Sequence, residues 1–314
     1  AIRHLPHNKV DTAVFGLPMP WYQDMIDIER AKSTLFNNPD ARLMNQVPEN
    51  IDVPILMVSG WYDVFFGGQM ADWERLATRS SSRFVLGPWT HAGASGEAFE
   101  IENAQGGLFQ WKEMLPWLDH HLKGQPLTNP PGLYTFTMGE NEWHFYEEWP
   151  GPTTSKIFSL NDLPDSPSCD GGKLAFKKDS SGPVSYVYDP LDPVPTMGGA
   201  GMLAFILPGF EGAAPANVLQ EGLCNRADVL SFVTPPLDAS LLIAGEIRVN
   251  LEIASSAPDT AFTAKLMEVF PDGRAINIRD NIDNKWKTYR NLNNFKKAIN
   301  CDVQHKHIYF NTGD

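Results

Sequence analysis

Two stretches decide how this sequence folds: VPILMVSGWYD at Val53–Asp63 and SRFVLGPWTH at Ser82–His91. Val53–Ser59 is a short, continuous apolar run closed by Gly60, the pattern of a parallel strand covered on both faces. Ser82–Leu86 repeats that pattern and is stopped by Gly87-Pro88. Between them, Met70, Trp73, Leu76 and Ala77 recur at spacings of three and four, which predicts a helix over Gln69–Thr78. Strand, helix and strand in this order predict an open α/β sheet. Groups that do chemistry in such a sheet gather beyond the carboxyl ends of its strands. Asp63 follows the first strand and His91 the second. A carboxylate that accepts a hydrogen bond from an imidazole fixes its tautomer and stabilises the imidazolium as it forms. The other reading is bland: a turn aspartate and a surface histidine.

Working outward, Leu108, Trp111, Leu115, Leu118 and Leu122 make an apolar stripe that predicts a helix over Leu108–Leu122, with Gly124 as its C-terminal cap. Lys123–Gly132 reads as a linker. Beyond it, short β-type stretches recur between Gly, Pro, Asp and Ser turns: Leu133–Gly139, Lys156–Leu160, Val184–Tyr188, Val229–Val233, Leu241–Ala244, Arg248–Ile253 and Phe262–Val269. That pattern predicts an antiparallel sandwich, a jelly roll. From Arg274 onward eight Lys or Arg stand against four Asp or Glu, a local charge of +4 against −17 before it. The strand signal fades in that Asn-rich end.

Composition narrows the function classes. The 314 residues carry a net charge of −13, which argues against a nucleic-acid partner. No apolar run approaches the roughly 18 residues of a membrane span. Cys169, Cys224 and Cys301 are an odd number without a CxxC pair and read as free thiols, with Cys169 and Cys224 inert for want of a basic partner. His120 and His121 are adjacent, so they share no helix face for a metal. His305-x-His307 lacks an evident third ligand. The clusters Glu140–Glu142 and Glu147-Glu148 read as solvated loop faces, and Met57, Met70, Trp111 and Trp117 as packing residues. No metal or cofactor is expected.

Seven segments, in order from about residue 50 to residue 280, resemble one family: PILMVSGWYDVF, RFVLGPWTHAG, LPWLDHHLKG, MGENEWHFYEEWP, YVYDPLDPVPTMGG, RADVLSFVTPPL and IAGEIRVNLEIASSAPDTAFTAKLMEVFPDGRAINIRD. It is the family of cocaine esterase, α-amino-acid ester hydrolases, glutaryl-cephalosporanic acid acylases and X-prolyl dipeptidyl peptidases. The resemblance implies the carboxyl-terminal part of an α/β-hydrolase domain followed by a jelly-roll β-sandwich. It implies the end of a helical cap over residues 1–50, core over 51–125 and sandwich over 126–314, with Trp21-Tyr22-Gln23-Asp24 resembling the return from cap to core. It implies a serine hydrolase acting on a small ester or amide, with Asp63 as triad acid and His91 as general base. Acid before base matches the nucleophile–acid–base chain order of such enzymes.

The family's nucleophile serine has no counterpart here. Gly93-Ala94-Ser95-Gly96 imitates the motif but follows His91 directly and lacks the strand that would strain its turn. The expectation is that the serine half, in the same gene product or a second chain, is missing, and that this chain alone is inert. The chain opens at Ala1 without a signal-peptide pattern, so localisation is undetermined; a homo-oligomer remains open. Where the amino-selective branch of the family places acids after the triad aspartate, this chain has Val64, Phe65 and Phe66, which points to an apolar acyl or aryl pocket. Phe65 is its expected lining, with Trp61 and Trp89 as further candidates. The rival class is a non-catalytic module, a glycan- or partner-binding sandwich with a vestigial α/β part. After Asp280 the family's last strands are not recognisable, although Asn311-Thr312-Gly313 resembles its closing turn.

Overall fold

The computed structural model describes residues 9–26, 47–91, 93, 106–162, 171–176, 183–201, 215–253, 256, 262–282, 297–303 and 308–310. The chain divides into two compact units, Ala1–Pro54 with Asp72–Arg79, and Ile55–Ala71 with Ser80–Asp314. In the first, helices α1 (Val10–Phe15) and α2 (Pro20–Ile26) are joined through Asp11. Its buried carboxylate accepts from the Thr12 and Met19 backbone N–H groups and from Gln23 Nε2 at 2.6–2.9 Å. The Gln23 hydrogen bond leads the causes that hold this carboxyl below the usual range. The short α3 (Val47–Asn50) is tied down by Ala77 N–H, which donates to the Pro48 carbonyl at 3.1 Å.

In the second unit β1 (Leu56–Tyr62) and β2 (Arg83–Thr90) are parallel, in register from Leu56 opposite Arg83 to Gly60 opposite Gly87. Helix α4 (Phe66–Arg75) follows β1 and buries Phe66, Met70 and Trp73. Strand β2 is longer than its sequence suggests. Gly87-Pro88 does not stop it, because the register slips there and a proline at the irregularity forfeits little. Both glycines answer to Trp89. A Cβ on Gly87 would lie 2.4 Å from the Trp89 ring, and one on Gly60 1.9 Å from the Trp89 carbonyl oxygen.

Two further strands continue this sheet in the order β1-β2-β3-β4. Strand β3 (Gly132–Thr137) runs parallel to β2, and β4 (Glu142–Tyr146) returns antiparallel to β3. Both strands fall within the stretch 126–314 that the sequence assigns to the second domain, and both are hydrogen-bonded into the sheet of β1 and β2. The apparent in–out alternation at 133–139 misled because Leu133, Thr135, Phe136 and Thr137 are all buried.

Helix α5 (Gly106–Lys123) forms where the sequence predicts it, but with a different buried face. Leu115, Leu118 and Leu122 are exposed, whereas Trp117 is buried. The reason is Arg83, whose side chain is only 2% exposed. Its guanidinium takes a 2.8 Å ion pair from Glu113, donates to the Asn129 carbonyl, and stacks 5.4 Å from the Trp117 and Tyr134 ring centres. A buried cation demands such partners, and Glu113 with Trp117, one helical turn apart, supplies them. The side chains of Leu108 and Trp111 lie outside the described residues.

The remaining strands build a β-sandwich. The sheet β5 (Ser159–Asn161), β6 (Gly172–Ala175), β7 (Phe232–Val233) is joined by the pairs β8 (Leu241–Ile243) with β13 (Ile308–Phe310), β9 (Ile247–Ile253) with β12 (Lys297–Val303), and β10 (Thr263–Val269) with β11 (Ala275–Ile282). Two sequence readings are corrected here. Val184–Tyr188 forms no strand: it is flanked by Pro183 and Pro190, and Val187 is 85% exposed. Conversely, the basic end carries strand: β12 pairs residue for residue with β9, Lys297 opposite Ile253 through Val303 opposite Ile247. Charge and Asn masked that pattern because an edge partner needs no continuous apolar face. Among the described residues no helix is long and apolar enough to cross a membrane.

Cys224, in a single 3-10 turn over Leu223–Asn225, is disulfide-bonded, which corrects its reading as a free thiol. Sequence spacing could not show this, because pairing depends on Cβ proximity in the fold. The side chains of Cys169 and Cys301 lie outside the described residues.

Candidate active site

Because β1 and β2 are parallel, their carboxyl ends share one edge, and Asp63 and His91 stand just past it. The chain turns tightly at Asp63. Its N–H donates to the Gly60 carbonyl at 2.9 Å, and the Phe66 N–H donates to its own carbonyl at 3.2 Å. The Phe65 N–H donates to Asp63 Oδ1 at 2.8 Å, which fixes the carboxylate's direction. His91 Nδ1 lies 3.2 Å from Oδ1 and 3.3 Å from Oδ2 of that carboxylate. In the tautomer that donates Nδ1–H to this carboxylate, the neutral ring keeps the Nε2 lone pair free to accept a proton. Asp63 is nearly enclosed, at 9% side-chain exposure, whereas the imidazole is 47% exposed. The pair thus joins a buried carboxylate to a half-exposed imidazole.

Of the expected pocket residues, Phe65 is 53% exposed and its ring meets the His91 ring edge to face, centroids 5.0 Å apart. Val64 beside it is also exposed. Trp61 and Trp89 are not lining residues, since they are 0% and 1% exposed. Trp61 Nε1 donates to the Phe136 carbonyl at 2.8 Å and its ring packs on Phe66, while Trp89 packs on Trp143. Large indoles next to two close-approach glycines serve the core, and surface accessibility is what sequence could not supply.

Three contacts reach this edge from β11. Arg279 Nη1 donates to the Trp61 carbonyl at 2.8 Å, its guanidinium lies 5.6 Å from the Phe66 ring centre, and the Tyr62 hydroxyl donates to the Asn277 carbonyl at 3.4 Å. Sequence reasoning missed Arg279, as a lone arginine in a strand more than two hundred residues away carries no local signal. Elsewhere, Glu140, Glu142 and His144 bring their ligand atoms within 4.8 Å of one another on the β3–β4 hairpin, but this cluster is largely exposed and His144 is already paired with Glu140 at 2.9 Å. Ser95, His305 and His307 lie outside the described residues.

Comparison with known proteins finds relatives for both parts of the chain. Residues 11–93 match the X-Pro dipeptidyl-peptidase S15 family, and residues 127–299 match the X-Pro dipeptidyl-peptidase C-terminal non-catalytic domain. A cocaine esterase of Rhodococcus sp. (strain MB1 Bresler) is 32% identical over 238 residues, covering 73% of this chain and 40% of the esterase. The crystal structure of an aminopeptidase from a marine sediment archaeon, Thaumarchaeota archaeon, superposes with a TM-score of 0.70 at 20% identity, over 96% of this chain and 52% of that one. The chain therefore spans about half or less of the length of these relatives.

Proposed function

From the premise that this chain belongs to the X-Pro dipeptidyl-peptidase and cocaine-esterase family of hydrolases, we propose that it carries the acid and the base of a serine ester or amide hydrolase. The observation that carries the reading is the Asp63–His91 pair at the shared edge of two parallel strands. The nucleophile serine comes from sequence outside these 314 residues, in the same gene product or a second chain.

In this mechanism His91 Nε2 takes the proton of the serine hydroxyl as that oxygen attacks the acyl carbon, and returns it to the leaving group. Asp63 holds Nδ1–H and stabilises the transient imidazolium. A water then repeats the sequence on the acyl-enzyme. Phe65, exposed against the imidazole, and Val64, the exposed residue before it in the chain, favour an apolar acyl or aryl group on the substrate over a charged one. The rival reading as a glycan- or partner-binding module is not favoured, because the relatives bear the names of hydrolases.

The test is His91→Ala in the complete natural protein, assayed with nitrophenyl esters and labelled with a fluorophosphonate. Loss of hydrolysis in the variant, with the unsubstituted protein labelled only at a serine outside this chain, is the expected result. Undiminished hydrolysis, or labelling of Ser95, would overturn the assignment.

A further inference from the structure

Asp63 sits in a turn whose two shoulders are held from outside the α/β sheet. On one side is the Trp61 carbonyl, at the point where the β1–β2 register slips, opposite Pro88 and Trp89. A proline there offers no N–H, so the ladder cannot serve that carbonyl in the regular way. Trp61 is fully buried, and a buried carbonyl needs a donor. Arg279 Nη1 provides one at 2.8 Å. On the other side is Phe66, also buried, whose N–H donates to the Asp63 carbonyl and whose ring lies under the same guanidinium. One side chain thus grips the residue two before the aspartate and the residue three after it. Tyr62, between them, reaches the same strand through the Asn277 carbonyl.

We propose that Arg279 is a positioning residue for Asp63, so that the domain described in this family as non-catalytic sets the orientation of the acid–base pair. The inference rests on the Asp63–His91 reading. Its logic is geometric. The Nδ1 to carboxylate distances, 3.2 and 3.3 Å, are already at the long end for a charge-assisted hydrogen bond. A small relaxation of the Trp61–Phe66 turn lengthens them further and releases the imidazole to its other tautomer, with the proton on Nε2. In that tautomer Nε2 has no lone pair to accept a proton, whatever the stability of the fold. Arginine suits the task because its planar fork donates to the carbonyl while its face lies over the phenyl ring, a combination an ammonium reproduces only in part.

The experiment is 15N NMR of the His91 ring nitrogens in the complete natural protein at alkaline pH, with thermal melts in parallel. In the unsubstituted protein the Nδ1–H tautomer is expected to dominate. Asp63→Ala should make the Nε2–H tautomer the majority; if it does not, the reading of the pair itself fails. Arg279→Met should do the same, and Arg279→Lys, which keeps a donor toward the Trp61 carbonyl, should retain most of the Nδ1–H form. Should Arg279→Met not fold, Arg279→Gln carries the comparison, because its amide reaches less far. Asp63→Ala shifting the tautomer while the folded Arg279 variants leave it unchanged would overturn the positioning role and leave the pair intact. A lowered melting temperature without a tautomer shift would overturn it equally.

Discussion

Phe65 stands edge to face against His91, ring centroids 5.0 Å apart, only two residues after the aspartate that holds the other side of that imidazole. The same loop therefore orients the imidazole and presents an apolar surface beside it. Backbone geometry explains the pairing: the Phe65 N–H is engaged with Asp63 Oδ1, which turns the phenyl outward.

The first prediction concerns that surface. Phe65→Ala should lower kcat/KM for aryl and long-chain acyl esters by about tenfold in the complete enzyme, equivalent to about 1.4 kcal/mol of lost apolar contact. Acetate esters should lose far less, because they do not reach the ring. Stability should stay within about 0.5 kcal/mol, since the side chain is half exposed. Steady-state kinetics across an acyl series checks this, and a uniform loss across the series would count against a specificity role.

The second concerns the buried arginine of β2. Glu113→Ala leaves the Arg83 guanidinium enclosed without its carboxylate and should cost about 3 kcal/mol, read from denaturant midpoints. The double variant Arg83→Met with Glu113→Leu should recover most of that loss, because an apolar pair of similar volume removes the buried charge as well as its partner.

Third, Glu268 on β10 is buried, and desolvation pushes its carboxyl up to about 7. The folded protein keeps its proton after the unfolded chain, with a pKa near 4.5, has lost it. Its stabilising contribution is thus complete below about pH 4.5 and is lost as pH rises through about 7, a decline on the order of 2–3 kcal/mol. Glu268→Gln should flatten the stability profile between those values and leave the variant more stable than the parent at pH 8. Urea titrations at a series of pH values measure both.

Much of the architecture was legible because it depends on local signals. Two apolar runs closed by glycine gave β1 and β2, and the spacing of Met70 and Trp73 gave α4. Asp63 and His91 were legible because parallel strands put their ends on one edge. What escaped was set by tertiary partners. The face of α5 turned toward Arg83 rather than along its leucines, β3 joined the first sheet because both its faces are covered, and Trp61 and Trp89 went to the core. Arg279 and the bond at Cys224 each depend on a partner far away in the chain, which no window of sequence contains.

The last prediction follows from that bond. With three cysteines and Cys224 disulfide-bonded, the denatured, unreduced chain should titrate one thiol, and the reduced chain three. Either remaining cysteine would close a loop of more than fifty residues, so the cross-link removes many conformations from the unfolded ensemble. Reduction should therefore lower stability by about 2–4 kcal/mol. Cys224→Ser should reproduce that loss and become insensitive to reductant, whereas equal melting temperatures with and without dithiothreitol would mean that the bond constrains nothing in the unfolded chain. Peptide mapping without reduction identifies the partner. Cys169 would tie the chain shortly before β6 to the turn at Leu223–Asn225, while Cys301 would anchor β12, the strand that the basic end lays against β9. In the second case reduction should also expose β9 to hydrogen exchange, because its partner strand would lose its only covalent tie to the sandwich besides the main chain.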